Sequence, residues 1–241
     1  GGLSMSTTAE LNKLTRLVAE SDDPARILMR AVHAPHVAAD WDSASLDVTS
    51  SFWSTNVGQP EDYALSCGAE RANLFVTHCW TPPPDWHEQM GARCSYGDVK
   101  ATELKLVADD LADAAGGSWE DVTFWIDKCC IPQKHPLLHT CVGHIEDFIQ
   151  RCDGMVVLMS WNYWSRLWCV CEWAMFLVFH DVSNVLVSVD HFLRPGTRGL
   201  FMETIENFSV ANARCHNEGD RVVLQAKIAK YYLSVDAFER F

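Results

Sequence analysis

Two short runs, "GMVVLMS" (154–160) and "NVLVSVD" (184–190), are apolar without alternation. A strand with one face in water alternates apolar and polar residues, whereas a strand covered on both faces has no need to. Segments of helical period lie around them. "VKATELKLVADDLADAAGG" (99–117) places Leu104, Val107, Ala108 and Leu111 on one face and stops at a glycine pair. "HIEDFIQRC" (144–152), "SRLWCVCEWAMFLVFH" (165–180) and "DRVVLQAKIAKYY" (220–232) read as further helices. "NLFVTHCW" (73–80) and "DVTFWID" (121–127) add two strands, and "FSVANAR" (208–214) a fifth. Strands that alternate with helices predict an open α/β fold, with a mainly parallel sheet and helices on both faces.

The N-terminal region has a different pattern. "TTAELNKLTRLVAE" (7–20) carries Leu11, Leu14, Leu17 and Val18 at helical spacing, and "SDDPARILMRAVHA" (21–34) offers Ser21 as a start signal with Pro24 in the first turn. A helical pair is expected there, followed over 40–68 by a linker or extended wrap. The organisation predicted is an N-terminal helical extension and linker over 1–69 and an α/β domain over 70–241.

A formal net charge of −13 disfavours nucleic acid and anionic membrane surfaces as partners, since phosphate contacts need clustered Lys and Arg. No apolar run reaches the roughly 18 residues of a membrane span. Neither GxGxxG nor GxxxxGK[ST] occurs, so a dinucleotide, if bound, is not held in the Rossmann manner. Most of the ten cysteines sit inside apolar runs, where free Cys packs as a small hydrophobe. The expectation is a reduced, cytoplasmic protein.

Within "RLWCVCEWAMF" (166–176), Glu172 is the single acid, and no lysine or arginine stands three or four places from it. Burying an unpaired carboxylate is costly, which makes Glu172 a candidate functional residue. Its bland alternative is a pairing with a distant cation, or a rim position in contact with water.

The order "LFVTHCW … FWIDKCCI … CDGMVVLMSWNYW … LWCVCEW" resembles a Toll/interleukin receptor (TIR) domain. The similar pieces are Thr77-His78-Cys79-Trp80 at the end of the first strand, Asp127 at the end of the second, Ser160 to Trp164 after the third, and Trp168-Cys169 with Glu172 four places beyond the Trp. "WIDKCCIPQ" also resembles the related heterokaryon-incompatibility domain. The Cys- and His-rich loop after Asp127 and the N-terminal extension depart from the family pattern.

The resemblance implies a flavodoxin-like sheet and, as in many TIR domains, cleavage of NAD at its N-glycosidic bond, with Glu172 as the catalytic residue. NAD is then a substrate, with no separate cofactor. His78, Trp80, Asp127, Ser160, Tyr163, Trp164, Trp168 and Cys169 are the expected substrate-binding residues, and self-association is implied. Two rival readings stand beside it: a non-enzymatic interaction module, since one fold serves both uses, and a nucleoside or nucleotide N-glycosidase or transferase. His135, His139, Cys141 and His144 are possible zinc ligands, but their spacing matches no standard finger, and no metal is assigned.

Overall fold

The computed structural model describes residues 5–40, 52–55, 57–215 and 218–240. In chain order its first elements are α1 (Met5–Ala19), α2 (Pro24–Leu28), β1 (Arg30–His33), α3 (Pro60–Tyr63), β2 (Cys67–Gly68) and β3 (Ala72–His78). Next come α4 (Trp86–Met90), α5 (Tyr96–Ala115), β4 (Thr123–Trp125), α6 (Asp127–Cys130), α7 (Leu137–Gly143), α8 (Ile145–Gln150) and β5 (Cys152–Leu158). The chain continues through α9 (Leu167–Phe179), β6 (Val185–Ser188), α10 (Arg198–Glu206), α11 (Gly219–Tyr232) and α12 (Val235–Arg240).

The strands form one sheet in the order β2-β1-β4-β3-β5-β6. β4, β3, β5 and β6 are parallel, with Leu74 opposite both Phe124 and Gly154, and Met155 opposite Val185. This is the open, mainly parallel α/β arrangement expected, with a flavodoxin-like order in which β3 is the central strand. The chain leaves β3 for β4 on one side and returns to β5 on the other. The order therefore reverses at β3 and β5, and their C-terminal ends flank the crevice where open α/β sheets bind ligands.

Each long helix has a local cause. Ser95 caps α5 by accepting from the Asp98 amide at 3.3 Å, and Gly116 closes it at φ 67°, a conformation glycine adopts without strain. α9 is apolar nearly all round and packs against β3, α8 and α11, as a helix without a polar face must. The core is continuous from Leu11 and Val32 through Phe75, Trp125 and Val156 to Phe176 and Ile228.

Four expectations need correction. The second N-terminal helix stops at Leu28, and Arg30–His33 joins the sheet antiparallel to β4. The reason is tertiary. The buried Arg30 guanidinium reaches Ser66 Oγ (2.8 Å), Ser66 O (2.5 Å) and Glu10 (2.7 Å), and it stacks on the Tyr63 ring at 4.1 Å. The region expected as a helical extension thus contributes β1 and β2 to the sheet. Residues 41–51 and 56 of the expected linker lie outside the described residues, and its remainder holds α3 and β2.

The stretch 208–214 is no strand. Ser209 accepts from the Ala211 amide (3.2 Å), and turn bonds run from Asn212 and Ala213 back to the Ser209 carbonyl, so local bonding wins over pairing. Arg214 keeps one isolated parallel bridge to Arg166. The strand expected over 121–127 shrinks to three residues, because a 3₁₀ turn takes Trp119–Asp121 and α6 begins at Asp127. Finally, β6 is apolar yet uncovered: Leu186 is 36% and Val187 48% exposed, because β6 is the sheet's edge.

Candidate functional site

The C-terminal ends of β3, β4 and β5 bring together residues far apart in sequence. Glu172, on the second turn of α9, is buried with 8% of its surface open. Its Oε2 accepts from the Thr77 hydroxyl on β3 at 2.5 Å. Thr77 Oγ1 also lies 2.9 Å from the Tyr163 hydroxyl, which donates to the Cys169 carbonyl at 3.3 Å. Burial pushes the Glu172 carboxyl well above the usual carboxylate range, and the nearby Asp127 charge pushes it the same way. The Thr77 hydrogen bond works against both. No lysine or arginine among the described residues forms an ion pair with it, and no cation is among the groups that shift it.

A second chain of contacts runs alongside. Trp80 donates its indole N–H to Asp127 Oδ2 at 2.6 Å. The other Asp127 oxygen faces His78 Nε2 at 3.5 Å, a charge contact longer than a hydrogen bond. Both of those atoms are buried without a hydrogen-bond partner. On its inner side His78 Nδ1 meets Lys100 Nζ at 3.1 Å. The Lys100 amine also donates to the Cys79 carbonyl at 2.5 Å and lies over the Tyr96 ring at 4.1 Å. The two chains join through the backbone of β3, and the Cys169 thiol reaches the His78 carbonyl at 3.5 Å. Ser160 takes part through the Tyr96 hydroxyl, which lies 3.1 Å from both Ser160 Oγ and the Cys79 carbonyl.

Of the residues the sequence singled out, the structure therefore gathers His78, Trp80, Asp127, Ser160, Tyr163, Cys169 and Glu172. Trp164 borders this group, meeting the Tyr163 ring edge-on at 5.3 Å and packing against Trp173 (5.1 Å) and Phe208 (5.2 Å). Trp168 stands apart and donates to Asp220 on α11 at 3.0 Å.

Thr77 and Cys79 sit in the quoted motif but had no assigned binding role, and Lys100 was missed entirely. A signal for Lys100 was present: it lies one turn before Leu104 on the stripe that continues through Val107, Ala108 and Leu111, so its side chain starts on the core face. Trp53 was also missed. It meets the His78 ring edge-on at 5.2 Å and is anchored by donating to the Val37 carbonyl at 2.7 Å.

The Cys- and His-rich loop makes other contacts. His144 pairs with Asp147 at 2.7 Å, His135 accepts from the Leu137 amide, and burial pushes the Cys141 thiol up to about 12. Among the described residues no three His, Cys, Asp or Glu side chains converge as metal ligands. All ten cysteines are free thiols.

Comparison of the chain with protein-family models, with curated proteins and with solved structures gives no match. The TIR resemblance thus rests on the quoted motifs alone.

Proposed function

We propose that this chain cleaves the N-glycosidic bond of NAD and releases nicotinamide, with Glu172 as the catalytic carboxylate. The observation that carries this reading is a buried acid with no cationic partner, at the switch point of a parallel sheet. Burial weakens its ionisation, and the Asp127 charge does the same. A cationic nicotinamide ring supplies the missing counter-charge and favours the carboxylate. The C1′–N1 bond breaks with its electron pair passing to the ring nitrogen, which becomes neutral, so this leaving group needs no general acid. The Glu172 carboxylate stabilises the positive charge that develops on the ribose. Water then bonds to C1′ and loses a proton.

Asp127 and Trp80 lie at the same C-terminal end of the sheet, joined by the Trp80 indole N–H. The Thr77 hydroxyl orients the Glu172 carboxylate, and Tyr163 orients Thr77. The test is direct. Purified protein incubated with NAD releases nicotinamide, and a folded Glu172→Gln variant does not. Undiminished release by that variant removes the catalytic assignment.

The interaction-module reading has one observation in its favour. Leu186 and Val187 are exposed on β6, which pairs only with β5 among the described residues, and Val182 beside it is 65% exposed. If wild-type protein releases no nicotinamide, this second reading takes over. Cleavage of nucleosides in preference to NAD supports the N-glycosidase alternative. Among the described residues no helix is long and apolar enough to cross a membrane.

A further inference from the structure

Lys100 is 2% exposed on α5, and no carboxylate lies within ion-pair distance of it among the described residues. Its amine is instead held by a carbonyl, an imidazole nitrogen and two ring faces: Cys79 O, His78 Nδ1, Tyr96 at 4.1 Å and Trp53 at 5.0 Å. A buried amine in such a place needs an explanation, because desolvation disfavours its charge. The imidazole beside it offers one.

His78 has two tautomers. With the proton on Nδ1, it would donate to the Cys79 carbonyl at 3.1 Å and leave the Nε2 lone pair facing the Asp127 carboxylate, acceptor against acceptor. With the proton on Nε2, the Nδ1 lone pair accepts from Lys100, and the N–H faces Asp127 Oδ1. The second arrangement gives Lys100 its acceptor and turns the N–H toward Asp127; the Cys79 carbonyl, 3.1 Å from Nδ1, already accepts from Lys100 and Tyr96. The Trp80 indole then holds one Asp127 oxygen by a hydrogen bond, and the His78 N–H faces the other across 3.5 Å. Asp127 is the larger of two charges that act on Glu172, the other being at Cys79.

We propose that Lys100 is a positioning residue: by donating to His78 Nδ1 it holds the imidazole in the Nε2–H tautomer, and the N–H so placed faces the Asp127 carboxylate at the C-terminal end of the sheet. The effect on the NAD reaction rests on the function proposed above, but the tautomer does not.

Burial brings the Lys100 ammonium down to about 7. Negative charge at Cys79, Asp127 or Cys169 favours its positive charge, whereas Lys128 on α6 opposes it. His78 is itself held below the usual imidazole range by burial and by Lys100.

The test is the nitrogen spectrum of uniformly labelled protein, with His78 assigned by its loss in His78→Gln. The expected pattern is an unprotonated Nδ1 and a protonated Nε2 in the wild type, moving as Lys100 titrates near pH 7. In Lys100→Met the Nδ1 lone pair loses its donor, and the pattern shifts toward Nδ1–H or imidazolium. An Nδ1–H wild type overturns the proposal, as does an imidazole spectrum unchanged by Lys100→Met. If Lys100→Met does not fold, the wild-type tautomer decides, and an Nδ1–H imidazole overturns the proposal.

With NAD as substrate, Lys100→Met and Asp127→Asn each lower kcat on the order of 10–100-fold, as misplaced groups do, and their double variant loses little more. Additive losses overturn the coupling. Absence of nicotinamide release by the wild type defeats the NAD reading and leaves the imidazole measurement standing.

Discussion

Replacing Glu172 by glutamine should stabilise the protein at neutral pH and leave its stability nearly unchanged at pH 4.5. The substitution preserves shape, and the glutamine oxygen can still accept from Thr77 as Oε2 does at 2.5 Å. What it removes is a titrating group whose folded pKa is raised, first by burial and then by Asp127. Below the unfolded value of 4.5 both states carry the proton, and the group costs nothing. As pH rises from 4.5 through the folded pKa, the folded state retains a proton that the unfolded chain releases, and wild-type stability falls.

At pH 7 this penalty cannot exceed the cost of holding that proton. The interval is 7 − 4.5 = 2.5 pH units. At about 1.36 kcal/mol per unit the ceiling is about 3.4 kcal/mol. A domain of this size gains ~2–4 °C in Tm per kcal/mol, so the shift at pH 7 is at most on the order of 10 °C. Urea denaturation of both proteins at pH 4.5, 5.5, 6.5 and 7.5 measures the difference. A gain that grows with pH and vanishes at pH 4.5 is expected. A difference independent of pH, or a glutamine variant less stable than wild type at pH 7.5, refutes the reasoning, since either result means that the carboxylate is a satisfied charge.

Gly97→Ala should destabilise the protein by about 1–3 kcal/mol, because the added methyl meets Trp53 Cβ at 2.7 Å and the Trp53 carbonyl oxygen at 2.8 Å, and overpacking forces backbone shifts. Chemical denaturation checks this, and an unchanged midpoint contradicts the close approach of the 52–55 segment to α5. A soluble thiol reagent should label exposed Cys67 first and half-buried Cys94 more slowly, with the eight buried thiols reacting only after denaturation. A third thiol labelled as fast as Cys67 under native conditions counts against the buried core.

Much of the sheet was legible in the sequence. β3, β5 and β6 announce themselves as apolar runs, and α5 as a segment of period 3.6 that stops at a glycine pair. The acid of the site was legible for the opposite reason: Glu172 breaks an apolar helix with no partner in its own neighbourhood. β1 was not legible, because "RAVH" is too short to have a readable period. What makes it a strand is the pairing of Val32 with Phe124 and the capture of Arg30 by Ser66 and Glu10. β6 was read as buried because the sequence reports that a strand is apolar, whereas position in the sheet decides which strand forms the edge.

By itself, then, the sequence determined the alternation of strands and helices, the apolar faces and the solitary acid, since each is a property of residues within a few turns of one another. The tertiary structure alone decided which polar groups meet. Thr77 and Glu172 are separated by 95 positions, and His78 and Lys100 meet only because the packing of α5 brings its core face to the end of β3. Local periodicity fixes the direction in which a side chain leaves its helix or strand. What waits for it there is set by the order of strands in the sheet, and that order is a long-range choice written in no single segment.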